Sequence, residues 1–267
     1  MTNPIYKIIK PKWWLVIKLL PILLGFMFLK WVIHFYDLEF MTMNALFSSL
    51  IAGTVFLIGF LIAGVLSDYK ESEKIPGEIA SCLDTLSDEA LFIHYKKKDE
   101  RTNQWLEHVL QTQKLIMDWL YSRIQFSVLL EHVENYSEHF SQLDDLIPAN
   151  YIVRLKQEQS SLRKMLIRIQ VIRDTSFVPS AYAIVESLAV LITIGLLLIE
   201  IEPFYESLFF LGFVVFLVLY MMFLIRDLDN PFEYSEHGEA PGEIALQPIH
   251  EVKDRLKNKL SKVVRSI

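Results

Sequence analysis

The sequence contains a single cysteine, Cys82, so no disulfide can close within the chain, and a thiolate zinc site has too few ligands. A basic excess is also missing. With 26 Lys and Arg against 32 Asp and Glu the net charge is −6, whereas neutralising a phosphate backbone needs Lys and Arg concentrated on one surface. Nucleic acid is therefore excluded as a partner. No Gly-rich phosphate loop, Gly-x-Ser-x-Gly elbow or His-Glu-x-x-His pair occurs, so the chain reads as a non-enzyme with no cofactor. His132 and His139, with Glu131, Glu134 and Glu138, are the densest set of metal-ligand types, but no Glu-x-x-His pair occurs among them. They read as a solvated helix face and not as a metal site. Strand signal is almost absent, which leaves an all-α chain.

Long apolar runs are what the chain has. Hydrophobic residues make up 52% and mean hydropathy is +0.32, yet 22% of residues are charged and need water. That combination fits membrane spans alternating with a solvated domain. A bilayer core about 30 Å thick takes roughly 20 helical residues, because every backbone polar group must bond within its own segment. Four runs qualify, at 13–36, 43–66, 180–199 and 204–225, the last two forming a hairpin broken at Pro203. The first run is too long for a signal peptide and has no small-residue cleavage site after it, so it is read as a mature span.

Lys7, Lys10 and Lys12 precede the first span, Lys96, Lys97, Lys98 and Arg101 lie in the middle segment, and Lys and Arg recur from Arg226 to Arg265. The positive-inside rule places these on the cytoplasmic side, with both termini (1–12 and 226–267) inside. The short connections carry Asp37 and Glu39, then Glu200, Glu202 and Glu206, without Lys or Arg, and belong outside. Within the apolar runs, Lys30 is close enough to the outer boundary to snorkel. Lys18 and Glu186 lie at a common depth, one in the first span and one in the third. They are expected to form an intramembrane ion pair, whose role is either to stabilise the bundle or to assist ion passage.

The segment 67–179 has helical periodicity. Phe126, Leu129, Val133, Tyr136, Phe140 and Leu143 form one stripe, and Tyr151, Leu155, Leu162, Met165, Ile169 and Ile172 form a second after Pro148. Trp105, Val109, Ile116 and Trp119 mark a further helix. The expected architecture is two transmembrane hairpins with a cytoplasmic helical bundle inserted between spans two and three. From Ile249 the tail carries Val252, Leu256, Leu260 and Val263 on one side and Lys253, Lys257, Lys259 and Lys262 between them. This is a basic amphipathic helix, suited to an anionic membrane surface or to a neighbouring helix.

In the second span Ser49, Ala52, Phe56, Phe60, Ala63 and Ser67 recur every three or four residues, setting two bulky apolar positions between small ones. Such a face lines a pore if repeated around an axis, or meets lipid or a neighbour. Phe56-Leu57-Ile58-Gly59-Phe60 resembles the Phe-x-x-Gly-Phe of the bestrophin pore neck. Ala52 stands where that family places another apolar neck residue, and Asp68-Tyr69-Lys70 where it has a basic residue followed by aromatics. Asp229-Asn230-Pro231-Phe232 resembles the Asn-Pro-Phe that ends the corresponding bestrophin helix. Tyr69 and Glu78 extend the likeness to bacterial bestrophin-like membrane proteins. The resemblance implies a homo-oligomeric, pentameric ion channel in a bacterial inner membrane. Its second span would line the pore, with Ala52, Phe56 and Phe60 as the neck and Ser49, Ala63, Ser67 and Asp68 at the mouths. It implies small inorganic ions as permeants and the lipid bilayer as the surroundings. Two departures qualify this. The acidic run that binds calcium in animal bestrophins is replaced by scattered Glu233, Glu236 and Glu239. Asp68 replaces a basic residue, and a ring of carboxylates favours cations over the family's anions. The competing reading is a non-conducting membrane-anchored scaffold or sensor that binds a partner through its cytoplasmic helices.

Overall fold

The computed structural model describes residues 13–175, 179–234 and 243–266. Lys7, Lys10, Lys12, Glu236 and Glu239 lie outside this range. The helices are α1 (Trp14–Phe35), α2 (Ala45–Ser72), α3 (Ile75–Lys97), α4 (Arg101–Leu120), α5 (Phe126–Glu134), α6 (Tyr136–Gln142), α7 (Ala149–Asp174), α8 (Pro179–Leu198), α9 (Phe204–Asp229) and α10 (Gln247–Ser266). Four of them, α1, α2, α8 and α9, hold windows long and apolar enough to cross a membrane, and the protein is a multi-pass membrane protein. The chain divides into two compact units, residues 1–69 with 176–229 and residues 70–175 with 230–267.

Local chemistry sets several helix ends. Asn44 Oδ1 accepts the Phe47 amide at 2.9 Å and satisfies a free N–H at the start of α2. Pro179 opens α8, where a missing N–H does no harm. Lys98, at φ 52°, takes the left-handed conformation that ends α3.

In the membrane unit α1, α8 and α9 pack pairwise, and α2 joins them through one face. Phe47, Ile192, Leu196, Leu211 and Val215 form one apolar cluster, and Ile58, Leu61, Val65, Val185, Ala189 and Val218 form the next. Gly195 lies directly beneath the Phe47 ring, closer than any side chain there would allow. The turns that follow α1 and α8 meet through a two-residue parallel pair, Met41 with Ile199 and Thr42 with Glu200. Alternation in the sequence does not announce strands this short.

In the helical unit α3, α4 and α10 pack together, and α7 lies against α3, α5 and α6. Its core holds Trp105, Tyr136, Phe140, Leu83 and Leu86, each at most 1% exposed. Burying a large apolar side chain fully contributes about 1.5–3 kcal/mol relative to exposure. The stripe from Phe126 to Leu143 spans two helices, α5 and α6, because the chain breaks at Asn135. In α7 Leu166 is buried, while Met165, read as the core position, is half-buried. The tail helix docks within its own unit. Ile249, Val252, Leu256 and Val263 are buried, and Asp84 pairs with Arg255 at 2.8 Å and with Lys259 at 3.2 Å.

Candidate functional site

A helix that packs on one side divides its residues by angle, and α2 does so sharply. Phe47, Thr54, Ile58, Leu61 and Val65 are buried against the other spans. Ser49, Ala52, Phe56, Phe60, Ala63 and Ser67 all lie on the exposed side of the single chain, and Asp68, seven residues past Leu61 and so in line with the packed side, is exposed near the helix end. Phe56 and Phe60 are 73% and 76% exposed, the opposite of a core aromatic. Gly53 and Gly59 share this side, and a Cβ built on either meets nothing within 4 Å. A strip of small residues broken by two Phe rings is thus left unpacked. Beside it, an apolar groove of about 450 Å³ runs between α2 and α8, with Phe60, Ala63, Ile184 and Val185 among its walls.

The charged residues inside the spans are arranged differently from the expectation. Glu186 pairs with Arg226 at 2.5 Å, and Lys18 lies over the Phe223 ring, 4.9 Å from its centroid. The anticipated Lys18–Glu186 pair is corrected accordingly. Packing of α8 on α9 brings Arg226 to Glu186, while α1 on α9 brings Lys18 to an aromatic face, where a cation–π contact replaces the ion pair.

Lys30 does not snorkel. It is 0% exposed, its Nζ donates to the carbonyl oxygens of Leu197 at 3.1 Å and Ile199 at 2.6 Å, and it pairs with Glu39 at 2.5 Å. His34 Nδ1 stands 2.8 Å from the other Glu39 oxygen and its ring stacks on Phe204. Burial opposes the Glu39 charge, yet the hydrogen bonds from His34 and Lys30, with their charge, hold its carboxyl below the usual carboxylate range. This staple takes the carbonyls freed where α8 ends, so a buried cation satisfies backbone groups that no longer bond along a helix. The readable signal was a lone lysine in an apolar run with an acid in the next loop. Its partners at Leu197 and Ile199 have no local signature.

In the helical unit His132 and His139 do not form a solvated face. The His132 ring stacks on His108 with centroids 3.9 Å apart, and His139 lies 4.5 Å from the same ring. His108 Nε2 bonds the His132 carbonyl at 3.1 Å, and His132 Nε2 bonds Thr112 Oγ1 at 3.1 Å. Burial, with the neighbouring imidazoles, pulls His108 down to about 3 and lowers His132, and burial lowers His139 against the pull of Glu138. Among the described residues no three His, Cys, Asp or Glu side chains converge as a metal site. Burial raises the Cys82 thiol, whose Sγ donates to the Glu158 carbonyl at 3.3 Å, which marks it as a packed residue and not a nucleophile.

No protein-family model and no curated protein matches the chain. Solved structures do. A mutant of a bacterial bestrophin homologue from Klebsiella pneumoniae superposes with TM-score 0.75 at 15% identity, covering 91% of this chain and 99% of that one. A second mutant of the same homologue gives TM-score 0.72 at 14% identity, over 94% and 98% of the two chains. A structure described as a membrane protein gives TM-score 0.75 at 14% identity, over 92% and 98%. The chain therefore has the bestrophin fold across nearly its whole length.

Proposed function

We propose that copies of this chain assemble around an axis as a homo-oligomeric ion channel in a bacterial inner membrane, a pentamer by analogy with bestrophins, with α2 lining the pore. The observation that carries the reading is the unpacked side of α2. Six residues singled out from spacing and family resemblance fall on that side, while the opposite side packs into the subunit. Phe56 and Phe60 then form stacked apolar rings that gate by dewetting, and the small residues around them leave room for water. The fold shared with bestrophin homologues supports this reading over an enzyme. The positive-inside rule orients the termini and the helical unit toward the cytoplasm. Bestrophin resemblance favours anions, whereas Asp68, exposed near the inner end of α2, favours cations.

The test is ion flux in liposomes with oligomer size recorded alongside. Shrinking Phe56 and Phe60 to Ala widens and wets the neck, and flux rises. Asp68→Arg shifts preference toward anions if that ring borders the ion path. An intact oligomer that passes no ions, as parent or as double variant, rejects the pore and leaves the scaffold reading in its place.

A further inference from the structure

A cleft of about 510 Å³ opens in the helical unit, where the α4–α5 connection, the end of α7 and residues 230–234 come together. Small-molecule sites span about 300–1,000 Å³, so the cleft is large enough for a metabolite. One wall is aromatic, with the Trp119 and Phe126 rings 5.1 Å apart. Arg173 lies over Trp119, 5.5 Å from the ring centroid, and donates to the Trp119 carbonyl at 3.2 Å and to Ser122 Oγ at 2.8 Å. A guanidinium has five N–H donors, so these two contacts orient the group and leave others for a ligand.

The other wall is acidic. Asp174 and Glu233 both line the cleft, and among the described residues neither forms an ion pair with Arg173. Asp174 accepts from Gln170 Nε2 at 2.7 Å, and Gln170 in turn accepts from Trp119 Nε1 at 3.2 Å, which fixes this side of the cleft. Among the described residues Glu233 has only a 3.5 Å bond from Asn230 Nδ2, and Asn230 Oδ1 is buried with no partner. Burial lowers Arg173 against the opposing pull of Asp174, Tyr234 and Glu233, so both carboxylates act on the guanidinium.

Opposite charges that share a cleft without neutralising each other discriminate by ligand charge. A simple anion meets two carboxylates, and a simple cation meets a fixed guanidinium. A molecule that carries both charges on one small frame satisfies each wall. We infer that this cleft binds a small zwitterion of the free amino-acid class, with its carboxylate on Arg173, its ammonium toward Glu233 and Asp174, and its side chain against Trp119 and Phe126. The inference stands apart from the pore reading, since binding is scored without any flux.

The test is titration calorimetry on the full-length protein in detergent, using a panel of free L-amino acids as probes. The tightest binder is then repeated as its N-acetyl and carboxamide derivatives, each lacking one charge. Removing either charge weakens binding about tenfold or more, as does Arg173→Gln. Because Arg173→Gln also releases two structural contacts, Glu233→Gln is the decisive variant. Its side chain is exposed and makes one long bond among the described residues, so a tenfold loss with unchanged circular dichroism supports the site. The proposal is overturned if no amino acid binds at concentrations up to about 10 mM. It is equally overturned if both derivatives match the parent ligand or if Glu233→Gln binds as the parent protein does.

Discussion

The two units of this chain use their large side chains in opposite directions. In the helical unit Trp105, Tyr136 and Phe140 are sealed inside, with Trp105 against Phe140 and Tyr136 against Phe140. In the membrane unit Phe28, Trp31, Phe209 and Phe213 are exposed on the single chain, and Gly195 lets the Phe47 ring come close to α8. The surroundings account for the inversion. Water drives apolar surface inward, whereas hydrocarbon offers no such drive between helices, so packing of small residues and buried polar links holds the spans together. Lys30 with Glu39 is the clearest of those links, and among the described residues of the helical unit no ion pair is as deeply buried.

The largest test of this contrast sets one aromatic from each unit against the other. Trp105→Ala empties a sealed site and is expected to destabilise the helical unit by about 3–5 kcal/mol. Phe28→Ala, at a position 65% exposed in the chain, changes stability by about 0.5 kcal/mol or less. Denaturant titration of the purified variants measures both, and comparable losses would erase the distinction.

Lys30 offers the next largest effect. Lys30→Met removes the bonds to the Leu197 and Ile199 carbonyls and leaves Glu39 to His34 alone among the partners described, and losing one member of a buried pair costs roughly 3–5 kcal/mol at the most. Removing both charges with Lys30→Met and Glu39→Gln recovers part of that loss. A double-mutant cycle reads the coupling, and strictly additive losses would show that the link does not bind the spans.

Gly195→Ala probes the small-residue side of the comparison. The added methyl meets the Phe47 ring and forces it aside, an overpacking strain of about 1–3 kcal/mol. Phe47→Leu in the same chain restores most of the thermal midpoint in detergent.

The smallest expected effect is a pH slope confined to the helical unit. His108 is held down to about 3 and His132 and His139 are lowered, so the folded unit keeps these imidazoles neutral where the unfolded chain, near 6.5, takes up protons. The unfolded state binds more protons in this window, so stability is full above about pH 6.5 and falls as pH drops toward the folded values. Working between pH 7.5 and 5 keeps clear of Asp99, which Arg101 holds at about 2. His108→Phe flattens the slope in urea titrations across that range, and an unchanged slope would mean the stacked rings do not carry it.

The sequence by itself determined the number of the apolar helices, the all-α class and which residues of α2 share a side. These are properties of single segments: a helix long enough to cross the bilayer bonds its own backbone, and spacing by three and four decides which residues share a side. Phe56, Phe60 and their small neighbours were legible for that reason. The tertiary structure alone decided which partners the charged and titratable groups acquired. Lys30 reaches carbonyls 167 and 169 positions away, Glu186 meets Arg226 in place of Lys18, and His108 joins His132 and His139 from another helix. A buried polar group must find a partner wherever packing supplies one, and helix spacing along the chain carries no record of which helix will lie beside it.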